Sequence, residues 1–138
     1  MLKLNEEYKV FNLIASTTVT ADLNGTGLDL RQFEVDALVI VNTGLITSTG
    51  ATYVVNIQGS TAVAGAYTTI ASINPFSGTA SSYKVAEKSV DIKNQSLKFI
   101  RAQVDVTANA GTVSGVINVN ILVRPQVAGA GLNSETLT

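Results

Sequence analysis

The pattern that most constrains the fold of this chain is an alternation of apolar and polar residues with a period of two. It is clearest in the last long apolar stretch, which runs from Val113 to Arg124. Its apolar members are Val113, Ile117, Val119, Ile121 and Val123, and its polar members are Ser114, Asn118, Asn120 and Arg124. Since successive side chains of a strand point to opposite faces, this stretch predicts a strand with one buried face, ended by Pro125.

Shorter runs of the same kind recur along the chain, and no segment shows a convincing helical period. The runs begin near Val10, Thr52, Tyr67 and Leu97, and turn residues separate them. Short strands at such spacing predict an all-β fold, an antiparallel β-sandwich of about eight strands with a jelly-roll-like arrangement. Periodicity does not contain the strand order, so an immunoglobulin-like sandwich remains an alternative at this point.

Several local signals predict where these strands turn or change phase. In the first strand, Phe11, Leu13, Ala15, Thr17 and Val19 share one parity. The sequence Asn24-Gly25 predicts a tight reversal, because both residues tolerate positive φ. Asn74-Pro75 predicts a loop after the strand that starts at Tyr67, and Asn109-Ala110-Gly111 predicts a hairpin turn. The apolar parity changes at Phe99-Ile100, which predicts a β-bulge.

Length and composition predict one folded domain with short extensions. The 138 residues are 46% hydrophobic, which excludes disorder of the whole chain. We expect an N-terminal arm over residues 1–9, a β-sandwich domain over 10–125 and a flexible C-terminal tail over 126–138.

The residue types that are missing argue against catalysis and against several partners. The chain has no His, Cys or Trp, and only 14% of its residues are charged. Most nucleophiles, bases and transition-metal ligands are therefore missing, and we expect no enzyme and no cofactor. The nine Lys and Arg residues form no basic stripe for nucleic acid, and no apolar stretch is long enough for a membrane span or a signal peptide. We therefore expect a protein that is made and kept in a cytoplasm or assembled into something there, with a surface partly covered by partners or by copies of itself.

One predicted strand lacks alternation and is therefore a candidate subunit interface. Residues 35–41 are apolar on both parities except for Asp36. A strand of this kind is covered on both faces, and in a small domain the second cover is another subunit. The predicted interface residues are Val35, Ala37, Leu38, Val39, Ile40 and Val41.

The segment 22–29 is a weak candidate for a calcium loop. Asp22, Asn24 and Asp29 offer oxygen ligands around a glycine turn. The spacing departs from an EF-hand loop, because Phe33 stands where the bidentate Glu is required and strands replace the flanking helices. A turn stabilised by its Asx side chains is the favoured interpretation.

Carboxylates and aromatic residues provide two further candidates. Nothing in the sequence pairs any two of the five aspartates, which are Asp22, Asp29, Asp36, Asp91 and Asp105, so glycosidase chemistry has no support. The aromatic residues Phe33, Tyr53, Tyr67, Phe76 and Tyr83 could stack on sugars or bases, but core packing and loop anchoring are the favoured roles. Carbohydrate binding on the loop from Ile73 to Tyr83 is a minority hypothesis.

Several stretches resemble small all-β structural proteins of tailed bacteriophages. The likeness begins with Thr18 to Leu30, which reads TVTADLNGTGLDL. It continues through Phe33, Ala37 to Val41, Gly44, Tyr53 to Gln58, Ala66 to Ala71 and Leu97 to Ala102. It covers most of residues 17–123, while residues 1–16 form a longer N-terminal segment than is usual in such proteins.

The resemblance implies a head decoration (cement) protein with a jelly-roll-like fold that forms homotrimers. Such proteins bind the major capsid protein on the outer capsid surface of the virion and stabilise the head. An arm could dock by adding a strand to a capsid edge, with Leu2, Leu4, Tyr8 and Phe11 as anchors. Deletion of residues 1–9 would then weaken attachment and leave the domain folded. The alternative is a tail- or fibre-associated or carbohydrate-binding module of the virion.

Overall fold

The computed structural model describes residues 8–46, 51–77, 85–91, 97–108 and 115–125. Every regular element among them is a β-strand. The strands are β1 (Lys9–Val19), β2 (Leu23–Asn24), β3 (Leu28–Asp29), β4 (Phe33–Ile46), β5 (Ala51–Ser60), β6 (Thr68–Ser77), β7 (Val85–Asp91), β8 (Phe99–Ala108) and β9 (Gly115–Pro125).

The strands form two antiparallel sheets with the strand order of a jelly roll. Sheet 1 has the order β1-β9-β4-β7, and sheet 2 has the order β2-β8-β5-β6, with β3 also paired to β8. The antiparallel pairs are β1 with β9, β2 with β8, β4 with β7 and β5 with β6. Pairing of the first strand with the last, the second with the next to last and so on is the connectivity of a jelly roll. Because β2 and β3 share one position beside β8, the sandwich has eight strand positions, which confirms the predicted fold class.

The core lies between the two sheets and is made by alternate residues of the central strands. From sheet 1 it receives Ile117, Val119, Ile121 and Val123 of β9, all without exposed surface. Sheet 2 contributes Tyr53, Val55 and Ile57 of β5 and Ile100, Ala102 and Val104 of β8. The alternation seen in the last strand is therefore confirmed, and its polar members Asn118, Asn120 and Arg124 lie on the outer face.

The first strand does not keep the single parity that the sequence predicts. Leu13 and Ile14 are both buried although they are adjacent, and Ala15 and Thr17 are exposed. The pairing of β1 with β9 shifts register between Asn12 and Ile14 and again between Ile14 and Thr17. Each irregularity inverts the side chains that follow it, so the predicted common parity is wrong.

The predicted reversal at Asn24-Gly25 is also wrong. Asn24 pairs with Gln103 and Leu28 pairs with Ile100, so the chain continues along the same edge of β8. Leu28 is four residues after Asn24, whereas their partners Ile100 and Gln103 are three residues apart, so the edge contains one extra residue, as in a β-bulge. The Gly25 N–H donates to the Ala102 carbonyl at 2.8 Å, in line with the ladder on either side.

The predicted bulge at Phe99-Ile100 and the predicted loop at Asn74-Pro75 are corrected as well. Pairing between β5 and β8 has no register shift from Ala51 to Ser60, and the parity change marks the start of β8 after a bend. Strand β6 continues through Pro75 to Ser77. Proline is tolerated there because β6 is an edge strand and its register with β5 shifts between Ile73 and Phe76.

The arm over residues 1–9, the domain over 10–125 and the tail over 126–138 stay predictions. Strand β1 starts at Lys9, so the last residue assigned to the arm belongs to the sandwich. The tail over residues 126–138, the turn at residues 109–111 and the positions of Val113 and Ser114 lie outside the described residues.

Candidate interaction surfaces

The outer face of sheet 1 carries a row of apolar side chains. Val10 of β1 pairs with Leu122 of β9, which in turn pairs with Leu38 of β4. The residue one row further along β4 on the same face is Ile40. Val10 is 65% exposed, and the other three side chains are half-buried. We call Val10, Leu122, Leu38 and Ile40 the apolar row.

An asparagine ladder borders the apolar row on the same face. Asn12 donates through Nδ2 to Oδ1 of Asn120, and Asn120 donates through Nδ2 to Oδ1 of Asn118 at 2.6 Å. These side chains satisfy one another across β1 and β9, so this part of the surface is held in a fixed arrangement without charge. The middle of the face is therefore uncharged and partly apolar, and exposed Glu87, the partner of Ile40, and Arg124 lie at its border.

The predicted subunit interface divides between this face and the core. Ala37, Val39 and Val41 are at most 4% exposed and pack between the sheets, so their side chains cannot contact a neighbour. This part of the prediction is wrong, because β4 is a central strand whose second face is covered by sheet 2. Leu38 and Ile40 do face outward. The side chain of Val35 lies outside the described residues.

The predicted capsid anchors fall in and beside the first strand. Leu2 and Leu4 lie outside the described residues. Phe11 is half-buried and packs against the core, with its ring 5.4 Å from that of Phe33 in an edge-on arrangement, and its contact with a capsid stays a prediction. Tyr8 is half-buried, and the Arg124 guanidinium lies 5.6 Å from the centre of its ring.

The outer face of sheet 2 carries a continuous row of polar side chains. Ser72 of β6 donates to Asn56 of β5, with 2.7 Å between Oγ and Oδ1. Asn56 and Gln58 both donate to Oε1 of Gln103 on β8, at 3.2 Å and 3.0 Å. Arg101 donates through Nε to Oε1 of Gln58 at 2.9 Å. We call Ser72, Asn56, Gln58, Gln103 and Arg101 the amide row.

Two arginines cover aromatic rings at one end of this face. The Arg101 guanidinium lies 4.1 Å from the centre of the Tyr67 ring, and that of Arg31 lies 5.7 Å from the centre of Phe99. The hydroxyl of Tyr67 donates to the Val63 carbonyl at 2.9 Å. Tyr67 is therefore occupied by contacts within the chain, and the sequence did not indicate them.

The remaining aromatic candidates for stacking are internal or not described. Tyr53 has no exposed surface and Phe33 is 8% exposed, so both are core residues and cannot stack on a ligand. Tyr83 and the side chain of Phe76 lie outside the described residues, as does most of the loop from Ile73 to Tyr83.

The candidate calcium ligands are engaged separately. Asp22 accepts a hydrogen bond through Oδ1 from the Val106 N–H at 2.8 Å, at the edge of β8. Asp29 accepts from the backbone N–H of Arg31 at 3.0 Å, which is an Asx turn, and it also pairs with the Arg31 side chain. Asn24 is exposed. The described part of the chain contains no group of three or more acidic side chains placed to hold a metal ion.

The ion pair of Asp29 and Arg31 gives the first testable prediction. Hydrogen bonds from Arg31 lower the pKa of Asp29 to about 2. Because this pKa lies below the ordinary value, the pair contributes stability above about pH 4, and the contribution is lost as the pH falls through about 2. Titration of the Asp29 carboxyl carbon by NMR should have its midpoint near 2. In Arg31→Met the midpoint should return toward 4, and an unchanged midpoint would contradict this assignment.

The strand register brings together two carboxylate residues that the sequence left apart. Asp36 of β4 is the direct partner of Asp91 of β7. Asp105 is remote from them on sheet 2, where it pairs with Val54.

A shallow groove opens between the first strands of the two sheets. It has a volume of about 240 Å³ and is lined by residues of β1 and of the β2 edge. The lining residues are Leu13, Ile14, Ala15, Thr17, Leu23, Asn24, Gly25 and Thr26. None of these side chains is ionisable, so this groove offers no acid, base or charged nucleophile.

The broad outer faces of the two sheets are thus the candidate sites.

The described residues contain no helix that is long and apolar enough to cross a membrane. A comparison with protein-family models finds no match, and a comparison with curated proteins finds no matching relative.

Proposed function

We propose that this chain is a structural protein of a tailed-phage virion. In this proposal it is a capsid decoration (cement) protein without catalytic activity, which binds the outer surface of the major capsid protein and stabilises the head. The resemblance of residues 17–123 to such proteins supports it, and so does the jelly roll, which is common among viral capsid proteins. The second argument is an analogy at the level of the fold.

The observation that carries the proposal is the apolar row on the outer face of sheet 1. Val10, Leu122 and Leu38 lie side by side across three strands. A face with adjacent, partly exposed apolar side chains suits contact with another protein surface. A rigid sheet loses little conformational entropy on binding, so even a modest contact is useful when many copies bind one lattice.

In the proposed assembly the apolar row joins copies of the chain, as expected for a homotrimer. Leu38 and Ile40 are the predicted interface residues that face outward, and Val10 extends the same surface to the edge strand. The N-terminal segment that precedes β1 would reach the capsid. Since Lys9 belongs to β1, the deletion that tests the segment should remove residues 1–7 and leave the strand intact.

Val10→Asp should weaken self-association by at least tenfold, and attachment to heads should weaken with it because separate copies lose the avidity of a trimer. A carboxylate in the apolar row must lose its water when the face is covered, and an unpaired buried charge is strongly unfavourable. The native mass is measured by light scattering. Attachment is measured by sedimentation with undecorated heads assembled from the major capsid protein of the same genome. Val10 is exposed on an edge strand, so the fold should tolerate the change.

Val63→Asp is the matched control. Val63 is 59% exposed, close to the value for Val10, but it lies in the connection between β5 and β6, away from sheet 1. It should behave as the unaltered protein does. Equal effects of both substitutions would contradict the assigned surface. Failure of the unaltered protein to bind heads would contradict the decoration proposal, and binding to tails or fibres instead would favour the alternative virion location.

A further inference from the structure

The amide row on the outer face of sheet 2 is a surface that the decoration proposal does not use. It crosses three adjacent strands, β6, β5 and β8, which run about 4.8 Å apart. Its span is therefore about 10 Å, the length of a disaccharide. Its side chains are half-buried except for Gln58, which is 8% exposed. Hydrogen bonds join each member to the next, so the row is held in place before any ligand arrives.

The hydrogen bonds within the row leave a surplus of donors. Oε1 of Gln103 already accepts two bonds, from Asn56 and Gln58, and Oε1 of Gln58 accepts from Arg101. Among the described residues, no protein atom accepts from Nε2 of Gln103 or from the two Nη groups of Arg101. Arg101 is fixed from below by the Tyr67 ring, which leaves its Nη groups for a ligand. A matching ligand must supply acceptors and a negative charge beside Arg101.

We propose that the amide row binds an acidic oligosaccharide. The remaining amide N–H groups of Asn56 and Gln103 would donate to sugar hydroxyl oxygens, because the carboxamide oxygens of the row already accept bonds within the chain. Arg101 would bind the carboxylate of a uronic or sialic acid unit through its two Nη groups. This site is separate from the apolar row, and the proposal holds or fails independently of capsid attachment.

The composition of the row favours a sugar over the two nearest alternatives. An acidic peptide would be matched by several cations, whereas the row has one guanidinium among three carboxamides and a hydroxyl. A neutral sugar is usually held by stacking on an open aromatic face. Here Arg101 covers one face of Tyr67, so charge and hydrogen bonds must supply the affinity. Asp105 lies on β8 two residues beyond Gln103 and four beyond Arg101. The carboxylate that would repel an acidic ligand is therefore at the end of the face away from Arg101.

NMR spectra of the ¹⁵N-labelled full chain test the proposal. The probes are a hyaluronan hexasaccharide, an oligogalacturonate and sialyllactose as acidic sugars, with maltohexaose as the neutral sugar and hexaglutamate as the acidic peptide. At least one acidic sugar should shift the Arg101 Nε–H signal and the side-chain amide signals of Asn56, Gln58 and Gln103. Maltohexaose and hexaglutamate should bind at least tenfold more weakly.

Two variants and one control locate the binding. Arg101→Met removes the cation and should weaken binding by about ten- to a hundredfold, as for the loss of a charge-assisted hydrogen bond. Gln103→Glu keeps the acceptor for Asn56 and Gln58 but places a negative charge in the row, and it should weaken binding to a similar extent. Arg124→Met removes the other arginine that lies over a tyrosine, on sheet 1, and should leave affinity unchanged.

Each other outcome overturns the proposal. If no acidic sugar binds at millimolar concentration, or if the shifted signals lie on sheet 1, the site is not a sugar site. If maltohexaose binds as tightly as the acidic sugars, the charge of Arg101 does not contribute to recognition. If hexaglutamate binds as tightly as they do, the ligand of the row is an acidic peptide. Since Gln103→Glu conserves the size and bonding of the side chain, it remains informative if Arg101→Met fails to fold.

Discussion

Tyr53→Ala should lower the free energy of unfolding by about 3–5 kcal/mol, as for other large aromatic residues removed from a core. Tyr53 has no exposed surface and is the largest fully buried side chain among the described residues. It lies on the inner face of β5, with β8 on one side and β6 on the other. Alanine would leave a cavity that two hydrogen-bonded sheets cannot close. Domains of this size are stable by about 5–15 kcal/mol, so the loss is a large fraction of the total.

Urea unfolding followed by circular dichroism measures this effect. Tyr8→Ala is the control, since Tyr8 is only half-buried and precedes β1. It should cost about 1 kcal/mol or less, within the range of surface substitutions with a partial contact. Similar losses for the two variants would contradict the internal position of Tyr53. The folded Tyr53→Ala protein should still bind acidic sugar, because Tyr53 is not part of the amide row.

The fold class could be predicted because alternation is a local property of a strand. In β9, Ile117, Val119 and Ile121 are buried as the period of two requires, and each contact follows from side-chain direction alone. The strand order could not be predicted in this way. The pairing of β1 with β9 joins the two ends of the sandwich, and no spacing in the sequence contains that information.

The errors fall where tertiary packing overrides a local signal. Asn24-Gly25 has the sequence of a hairpin turn, yet β8 holds this segment as a bulged edge. Asn74-Pro75 has the sequence of a loop, yet the edge position of β6 accommodates a proline without a ladder bond. The sequence places Ala37 and Val39 in a subunit interface because an apolar strand covered by its own second sheet has the same sequence as one covered by a neighbour.

The sequence predicts part of the apolar row but does not predict the amide row. Leu38 and Ile40 could be predicted, since an apolar residue on the outward parity is visible once a strand is recognised. The amide row could not, because Asn56 and Ser72 are brought together with Gln103 only by the register of three strands. Alternate polar positions in single strands were the available signal, and they are also what an ordinary solvated face shows.

Position 25 requires glycine, but the reason is close backbone packing and not the tight turn that Asn24-Gly25 predicts. A Cβ atom at Gly25 would lie 2.4 Å from the Leu13 carbonyl oxygen and 3.0 Å from that of Ala102. Both are backbone atoms of neighbouring strands, held by their own ladders. Glycine is needed here because β1 and β8 approach closely on two sides, at the lining of the groove between the sheets. A tight turn is not the cause.

Gly25→Ala should therefore destabilise the protein by about 3 kcal/mol, the upper end for overpacking against atoms that cannot move. Gly59→Ala is the matched comparison. A Cβ at Gly59 would lie 2.0 Å from Cδ1 and 3.0 Å from Cγ of Leu97, but both are atoms of one half-buried side chain, which we expect to shift more easily than backbone. Replacing glycine inside a strand also gains about 0.5–1 kcal/mol of backbone entropy, so the net change at Gly59 should be near zero. Thermal and urea unfolding of both variants measure the difference. Equal stability of the two variants would show that β1 and β8 can separate at Gly25, and the groove would then be adjustable where backbone contact is expected to fix it.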